Sequence, residues 1–251
     1  MLAEERQQVI LSMLKTSSVV KLQDICKKVT CSESSVRRDL QLLEEKGLLI
    51  RVHGGAKVKH SLQRELDMTG KSLRNVQQKS SIAKFAAEQI QDEDVVYLDA
   101  GTSTLAMIQF LHSGQHLTVV TNGVVHASAL ADRNIRTILV GGELKTTTKA
   151  IVGIETVNSL HHYRFNKAFL GTNGVHPRFG YTTPDPDEAA VKKTALDQSE
   201  KNYILADESK IDQVSFVKVA ELAKAIIITN RLPKTVLDQY SDQTTIQEVS
   251  I

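Results

Sequence analysis

Tryptophan is absent from this 251-residue chain, and tyrosine and phenylalanine bring its aromatic content to only 4%. That poverty argues against a carbohydrate-stacking surface or an aromatic platform for single-stranded nucleic acid, both of which need flat rings in number. Cysteine is scarcer still, with Cys26 and Cys31 the only two. Two thiols without a metal-type Cys/His partner set give neither a disulfide scaffold nor a metal centre; reduced thiols and a cytoplasmic setting are expected. Proline and glycine, at 4 and 13 residues, are too few for a collagen-like repeat. The opening residues MLAEERQQ lack the apolar core of a secretion signal. Charge itself is missing from residues 100–131. A run of that length raises the question of a membrane span. Its Gly, Asn, Gln, His and many Ser/Thr residues favour buried strands, loops and a helix instead, so no membrane partner is expected.

What is present is ordinary for a folded protein: 41% hydrophobic and 24% charged residues. The length suits one large domain, or a small one joined to a medium one. The net charge of +2 conceals an uneven distribution. Residues 1–60 hold 11 Lys+Arg against 7 Asp+Glu, a net of +4, whereas residues 61–251 hold 20 against 22, a net of −2. A basic head on a slightly acidic body points to an anionic partner for the head.

Three helical patterns fill residues 3–46. Val9, Ile10, Met13 and Leu14 mark the first; Leu22, Ile25 and Val29 share one face of the second; Val36, Leu40 and Leu43 repeat at i, i+4 and i+7 in the third, with Ser32 as its N-cap. At about 100° per residue, Leu40 and Leu43 lie within roughly 40° of Val36. Ser34, Arg38 and Gln41 then face the far side, flanked by Ser35 and Arg37. Arg can donate two hydrogen bonds to a guanine edge, Gln can pair with adenine, and serines with the helix start can hold phosphates. The same face would also serve as a plain solvated one. Gly47 ends the helix, Leu48–Val52 is strand-like, and His53-Gly54-Gly55-Ala56 forms a tight turn. A hairpin after a recognition helix is a wing, whose Arg51, His53 and Lys57 are candidate DNA contacts. Asp39 has two readings: it orients Arg37 or Arg38, or it is an exposed helix charge.

The stretch SSVRRDLQLLEEKGLLIRVHGGA resembles the N-terminal signature of the DeoR family of bacterial transcriptional regulators, with Arg37-Arg38-Asp39-Leu40, Glu44…Gly47 and Arg51…Ala56 all in register. The resemblance implies a helix-turn-helix at residues 20–39 and double-stranded operator DNA as partner. The expected division is a winged helix-turn-helix at 1–57, a polar and partly helical linker at 58–74, and an α/β sensor domain at 75–251.

In the body, strand and helix patterns alternate. Strands are expected at Asp94–Leu98, Leu117–Thr121, Ile135–Val140, Lys167–Leu170, Asn202–Ala206 and Ala225–Thr229; helices around Ile82–Ile90, Thr102–Leu111, Val124–Ala131 and Asp187–Gln198. Alternation of this kind predicts a mainly parallel sheet with helices on both faces and a ligand beyond the carboxyl ends of its strands. Those ends carry small polar groups: Asp99-Ala100-Gly101-Thr102-Ser103-Thr104, Thr121-Asn122, Gly141-Gly142, Gly171-Thr172-Asn173-Gly174 and Asp207-Glu208-Ser209-Lys210. Gly101 to Thr104 suits a phosphate, because Gly permits close approach, hydroxyls donate and a helix start is electropositive. The cation is expected from outside the charge-free segment: Lys210 first, then Lys145 and Lys149.

The pieces YLDAGTST, VVTNG, LVGGELK, AIVG, AFLGTNGV, GYTTPDPDEA and ILADESK resemble the DeoR-family sensor domain over roughly residues 75–231. That domain is similar to ribose-5-phosphate isomerase and the CoA-transferase group. Within the family, Thr121–Ala127 and Gly180–Ala189 look most like fructose-operon repressors. The resemblance implies a repressor of a sugar-utilisation operon, released by a phosphorylated sugar such as fructose 1-phosphate or a related hexose phosphate, with no cofactor. The other reading is a sugar-phosphate isomerase carrying a DNA-binding head. The isomerases carry a carboxylate-rich Asp-Gly-Ala-Asp-Glu loop, where this chain has Gly171-Thr172-Asn173-Gly174, so a regulator is expected and not an enzyme. Glu188 is a candidate for ligand hydroxyls, for capping its own helix, or for a base. His112, His116, His161 and His162 give no ligand set for a metal. A homo-oligomer reading repeated half-sites is expected, because one small head buries little DNA.

Overall fold

The computed structural model describes residues 1–17, 19–58, 62, 67–112, 114 and 116–250. It falls into two compact units, Met1–Arg74 and Asn75–Ile251.

The first unit runs α1 (Ala3–Thr16), β1 (Val19–Lys21), α2 (Leu22–Val29), α3 (Glu33–Glu45), β2 (Leu49–Val52), β3 (Gly55–Val58) and α4 (Met68–Ser72). Ile10, Leu14, Leu22, Ile25, Val29, Val36, Leu40, Leu43, Leu49 and Ala56 form one buried cluster, so each helix buries the stripe its periodicity marks. Ser32 caps α3, its side chain accepting from the Ser35 N–H. Thr30, left-handed at φ 52°, turns the chain between α2 and α3. The wing is a three-stranded antiparallel sheet in the order β1-β3-β2. Its first strand, only three residues long, carries too little pattern to be read from sequence. The glycine pair has two separate causes. Gly54 turns the hairpin at φ +79°, and a Cβ on Gly55 would lie 2.1 Å from the Val20 carbonyl oxygen of the neighbouring strand. Of the polar 58–74 segment, residues 59–61 and 63–66 lie outside the described residues; α4 follows, capped by Asp67.

The second unit begins with α5 (Val76–Ala87), β4 (Val95–Leu98), α6 (Thr102–Met107), β5 (Thr118–Thr121), α7 (Val124–Ala131) and β6 (Arg136–Leu139). A short hairpin, β7 (Glu143–Lys145) and β8 (Ala150–Val152), and then α8 (Ile154–Leu160) follow. The chain continues through β9 (Phe165–Gly171), β10 (Gly174–His176), β11 (Gly180–Thr183), α9 (Pro186–Asp197), β12 (Ser199–Leu205), β13 (Val217–Ala220), β14 (Ile226–Asn230), α10 (Lys234–Tyr240) and β15 (Ile246–Val249). Seven strands form one sheet in the order β15-β14-β12-β9-β4-β5-β6, every neighbouring pair parallel. Alternate residues feed two cores. Tyr97, Val120, Ala168, Ile204 and Ile227 face one side, and Val96, Leu98, Val119, Phe169, Tyr203 and Ile228 the other. Burial on both faces explains why these strands read as continuous apolar runs. A small sheet, β10-β11-β13, and the β7–β8 hairpin complete the unit; neither was legible in the alternation.

From β4 the chain winds outward to β5 and β6, then returns to β9 and winds the other way through β12, β14 and β15. The strand order therefore reverses between β4 and β9, the place where open parallel sheets leave a crevice for ligands. Among the described residues, no helix is long and apolar enough to cross a membrane.

Candidate functional site

On α3 the outward face is what the sequence implied. Ser34, Arg37, Arg38 and Gln41 are exposed and Ser35 is half-buried. Arg37 reaches back to Glu33 at 3.4 Å, and Gln41 donates to Glu45 at 3.1 Å. Both are weak exposed pairs that a stronger partner displaces. The Ser32 hydroxyl lies 2.9 Å from that of Ser34 and 3.1 Å from that of Ser35, gathering hydroxyls at the helix start. On the wing, Arg51, His53 and Lys57 are exposed, and the backbone N–H of Arg51 donates to Glu44 Oε1 at 2.8 Å.

Asp39 corrects both of its sequence readings. It is 2% exposed and faces α1, where Arg6 donates from Nε to Oδ2 at 2.7 Å and from Nη2 to Oδ1 at 3.3 Å. At 300° around the helix from Val36, its carboxylate points inward and clamps α3 to α1. The fork of Arg6 was missed because its partner is 33 residues away.

In the second unit the strand ends do converge on one rim, and the structure ranks them. Asp99 ends β4 and Gly171 ends β9, at the switch point itself. Asp99 is 3% exposed; its Oδ2 accepts from the Gly171 N–H at 3.1 Å and from Lys192 Nζ in a short ion pair. Lys192, 7% exposed, also donates to the Gly171 carbonyl at 3.1 Å. The cation at the centre of the rim is thus Lys192, which the sequence reading missed. Its helix gave a signal: Ala189, Lys192 and Ala195 share a buried stripe of α9, so this lysine lies on the apolar face.

Glu188, one turn before Lys192, is also buried and accepts from Lys145 at 3.0 Å and Thr148 at 2.7 Å. Lys145 further pairs with Asp185 at 2.9 Å. Burial raises the Asp185 pKa, but the Glu188 N–H and Lys145 outweigh it and hold the carboxyl below its ordinary value. Lys145 and Thr148 belong to the β7–β8 hairpin, which bends over the sheet: Ile151 N–H donates to the Asn122 carbonyl at 2.7 Å, and Val124 N–H to that of Lys149 at 3.1 Å. The β4 end, β9 end, α9, hairpin and β5 end close a ring.

Several rim residues are held by their own chain. Asn122 Oδ1 accepts from Tyr97 Oη at 2.9 Å and from the Ala100 N–H at 3.0 Å, while Nδ2 donates to Ile151. Burial pushes the Tyr97 phenol well above its ordinary pKa, so it remains a donor. Thr121 accepts from the Gly123 N–H, and the Thr104 hydroxyl sits between the Asp99 and Gly101 carbonyls. His126 Nε2 lies 3.1 Å from Thr104 Oγ1 and 3.0 Å from the Gly101 carbonyl. Burial lowers its pKa to about 4, so the ring is neutral; its buried Nδ1 carries no hydrogen bond among the described residues. Thr102 is half-buried and Ser103 buried at the start of α6.

The remaining candidates lie further out. Gly141 and Gly142 follow the edge strand β6, two strand spacings or about 10 Å from β4. They pack on α8, where Thr156 donates to the Gly141 carbonyl at 2.9 Å. Asp207 follows β12 and accepts from Asn75 at 2.8 Å and from Ser209; Lys210 is half-buried on the turn beyond it. Asn173 accepts from Thr183 at 3.2 Å. Lys149 is exposed in the hairpin turn at φ 54°. Among the described residues there is no His/Cys/Asp/Glu group able to hold a metal.

A winged helix-turn-helix head and a separate parallel α/β unit with a ring of polar groups at its switch point define a DNA-binding regulator with a small-molecule sensor. The chain belongs to the DeoR family: the DeoR-like helix-turn-helix domain matches residues 6–62 and the DeoR C terminal sensor domain residues 74–231. It is 44% identical to the uncharacterized HTH-type transcriptional regulator FruR of Bacillus subtilis, over 99% of both chains. It is 33% identical to the lactose phosphotransferase system repressor of Staphylococcus epidermidis, over 92% of this chain and 94% of that one. Ribose 5-phosphate isomerase from Methanocaldococcus jannaschii aligns over 55% of each chain at 17% identity, with a TM-score of 0.41. The relatives are named as regulators and repressors, and this protein is a regulator, not an enzyme.

Proposed function

We propose that this protein is a cytoplasmic repressor of a sugar-utilisation operon, released from its operator by a phosphorylated sugar, with fructose 1-phosphate or a related hexose phosphate the leading candidate. The observation that carries this reading is the closed ring at the switch point, where Asp99, Lys192 and Glu188 bring paired charges to the rim of a parallel sheet. The names of the two relatives, one a FruR and one a lactose phosphotransferase system repressor, support a sugar as the effector class.

In this reading residues 1–57 bind DNA, 58–74 connect, and 75–251 sense. Arg38 and Gln41 read base edges, while Ser34, Ser35, Arg37, Arg51, His53 and Lys57 hold phosphates or a groove. The effector's phosphate rests on the first N–H groups of α6, which a helix start leaves without intrahelical partners, and the Ser103 hydroxyl, with Lys210 and Lys149 at the periphery. The effector acts by binding the non-DNA-binding arrangement better, and a homo-oligomer makes the spacing of two heads the quantity it alters. The test is a thermal-shift panel of sugar phosphates and free sugars on the full chain, followed by retardation of the promoter upstream of its own gene. A phosphorylated sugar that raises the melting temperature and releases the promoter is expected. Release by an unphosphorylated sugar, or by none, contradicts the reading.

A further inference from the structure

Resting on the sugar-phosphate reading of the same site, we infer that the buried Asp99–Lys192 pair is its specificity determinant and reads the hydroxyls of the sugar rather than its phosphate. Charge balance comes first. Lys192 Nζ already holds Asp99 Oδ2 in a short contact, so the pair presents no net charge to an incoming anion. A phosphate placed against it meets a carboxylate, whose repulsion offsets the attraction of the ammonium. The effector's anionic group therefore lies elsewhere on the rim.

Hydrogen-bonding capacity comes next. Asp99 Oδ2 takes two donors, the Gly171 N–H and Lys192, while Oδ1 accepts none among the described residues. A carboxylate oxygen at the switch point with no donor of its own is an acceptor awaiting one. Lys192 spends two of its three donors, on Asp99 and on the Gly171 carbonyl, and the third has no partner among the described residues. One free charged acceptor beside one free charged donor is complementary to a hydroxyl, which donates and accepts at once, or to two neighbouring hydroxyls. The phosphate of a sugar phosphate, mostly dianionic at neutral pH, presents chiefly acceptors.

Position completes the argument. The pair joins the ends of β4 and β9 where the strand order reverses, and the Gly101 and Gly171 backbones approach closely beside it, a Cβ on Gly101 falling 3.5 Å from the Gly171 Cα. Lys192 stands one helical turn from Glu188, which holds Lys145 and Thr148 of the hairpin. A hydroxyl seated on the pair thus touches the helix that anchors the hairpin over the crevice.

The test uses the full chain and calorimetric Kd values for fructose 1-phosphate, glucose 6-phosphate, ribose 5-phosphate and inorganic phosphate. The wild type is expected to favour at least one sugar phosphate over inorganic phosphate by about a hundredfold or more. Lys192→Met should lower that advantage about tenfold or more, and the Asp99 carboxylate it leaves uncompensated should weaken inorganic phosphate as well. Asp99→Asn should lower it too, and tighten inorganic phosphate by releasing an uncompensated ammonium. A single variant that fails to fold is replaced by Asp99→Asn/Lys192→Met, which strands no buried charge; it should lose the sugar advantage while keeping inorganic phosphate. Binding of a sugar phosphate with the advantage intact in these variants overturns the assignment and leaves the sugar-phosphate reading standing. Failure of all three sugar phosphates to bind the wild type overturns both.

Discussion

The outer face of α3 and the ring at the β4–β9 switch point are both candidate binding sites, yet they are built in opposite ways. On α3, Arg37, Arg38 and Gln41 are exposed and hold at most weak pairs with their own helix. At the switch point Asp99, Lys192 and Glu188 are each under 9% exposed and locked to groups distant in sequence. Exposed donors on a rigid helix suit a rigid polyanion, because docking needs little rearrangement and counterion release supplies affinity. Buried, paired groups suit a small ligand, since discrimination there comes from polar atoms that the wrong ligand leaves unsatisfied.

That contrast can be broken most directly at Arg38. Arg38→Ala should weaken operator binding by about 1–3 kcal/mol per half-site, about fivefold to 150-fold in Kd, in a retardation titration. Its thermal response to a sugar phosphate should be intact, and loss of both responses would show that the two regions are not separable.

His126 tests the buried side through pH. Its folded pKa of about 4 lies below the ordinary 6.5, so the unfolded chain binds more protons between those values. Stability is therefore lost as pH falls from about 6.5 towards 4, by about 3 kcal/mol at most from this ring. His126→Gln should flatten that part of a denaturation-versus-pH profile; an unchanged slope would mean that the ring titrates normally.

Next in size is the clamp beneath the recognition helix. Arg6→Ala and Asp39→Ala should each lower the melting temperature of the head and weaken DNA binding without touching DNA. The double variant should be no worse than the more damaging single one, since the two side chains share one interaction. Additive losses would assign each residue a separate role.

Lys149→Ala should have the smallest effect. Its side chain is exposed, and the backbone carbonyl that receives Val124 survives the substitution, although its φ of 54° is less comfortable for Ala. A large loss of effector response would move the phosphate outward to the hairpin.

Legibility followed the same division. The head's helices and their exposed face were readable because periodicity reports which side of a helix meets water. Strands β4, β5, β9, β12 and β14 were readable as apolar runs. The short strands β1, β7 and β8 were not, since three residues carry no period. Asp39 and Lys192 were obscured for one reason: a charged residue in sequence looks solvated unless its partner is seen. Their partners, Arg6 and Asp99, are 33 and 93 residues away. Asn122, Thr121 and Thr104 stood out as small polar residues at strand ends, but the structure uses their polar atoms to hold the loops themselves.

By itself the sequence determined the two-part architecture, the basic head with its outward Ser, Arg and Gln face, and the parallel sheet with a polar rim. Each follows from local periodicity and composition, which one stretch of chain carries alone. Only the tertiary structure decided which rim residues meet at the switch point and which cation is buried among them. That choice depends on strand order, and strand order is a property of contacts between segments that the chain keeps far apart.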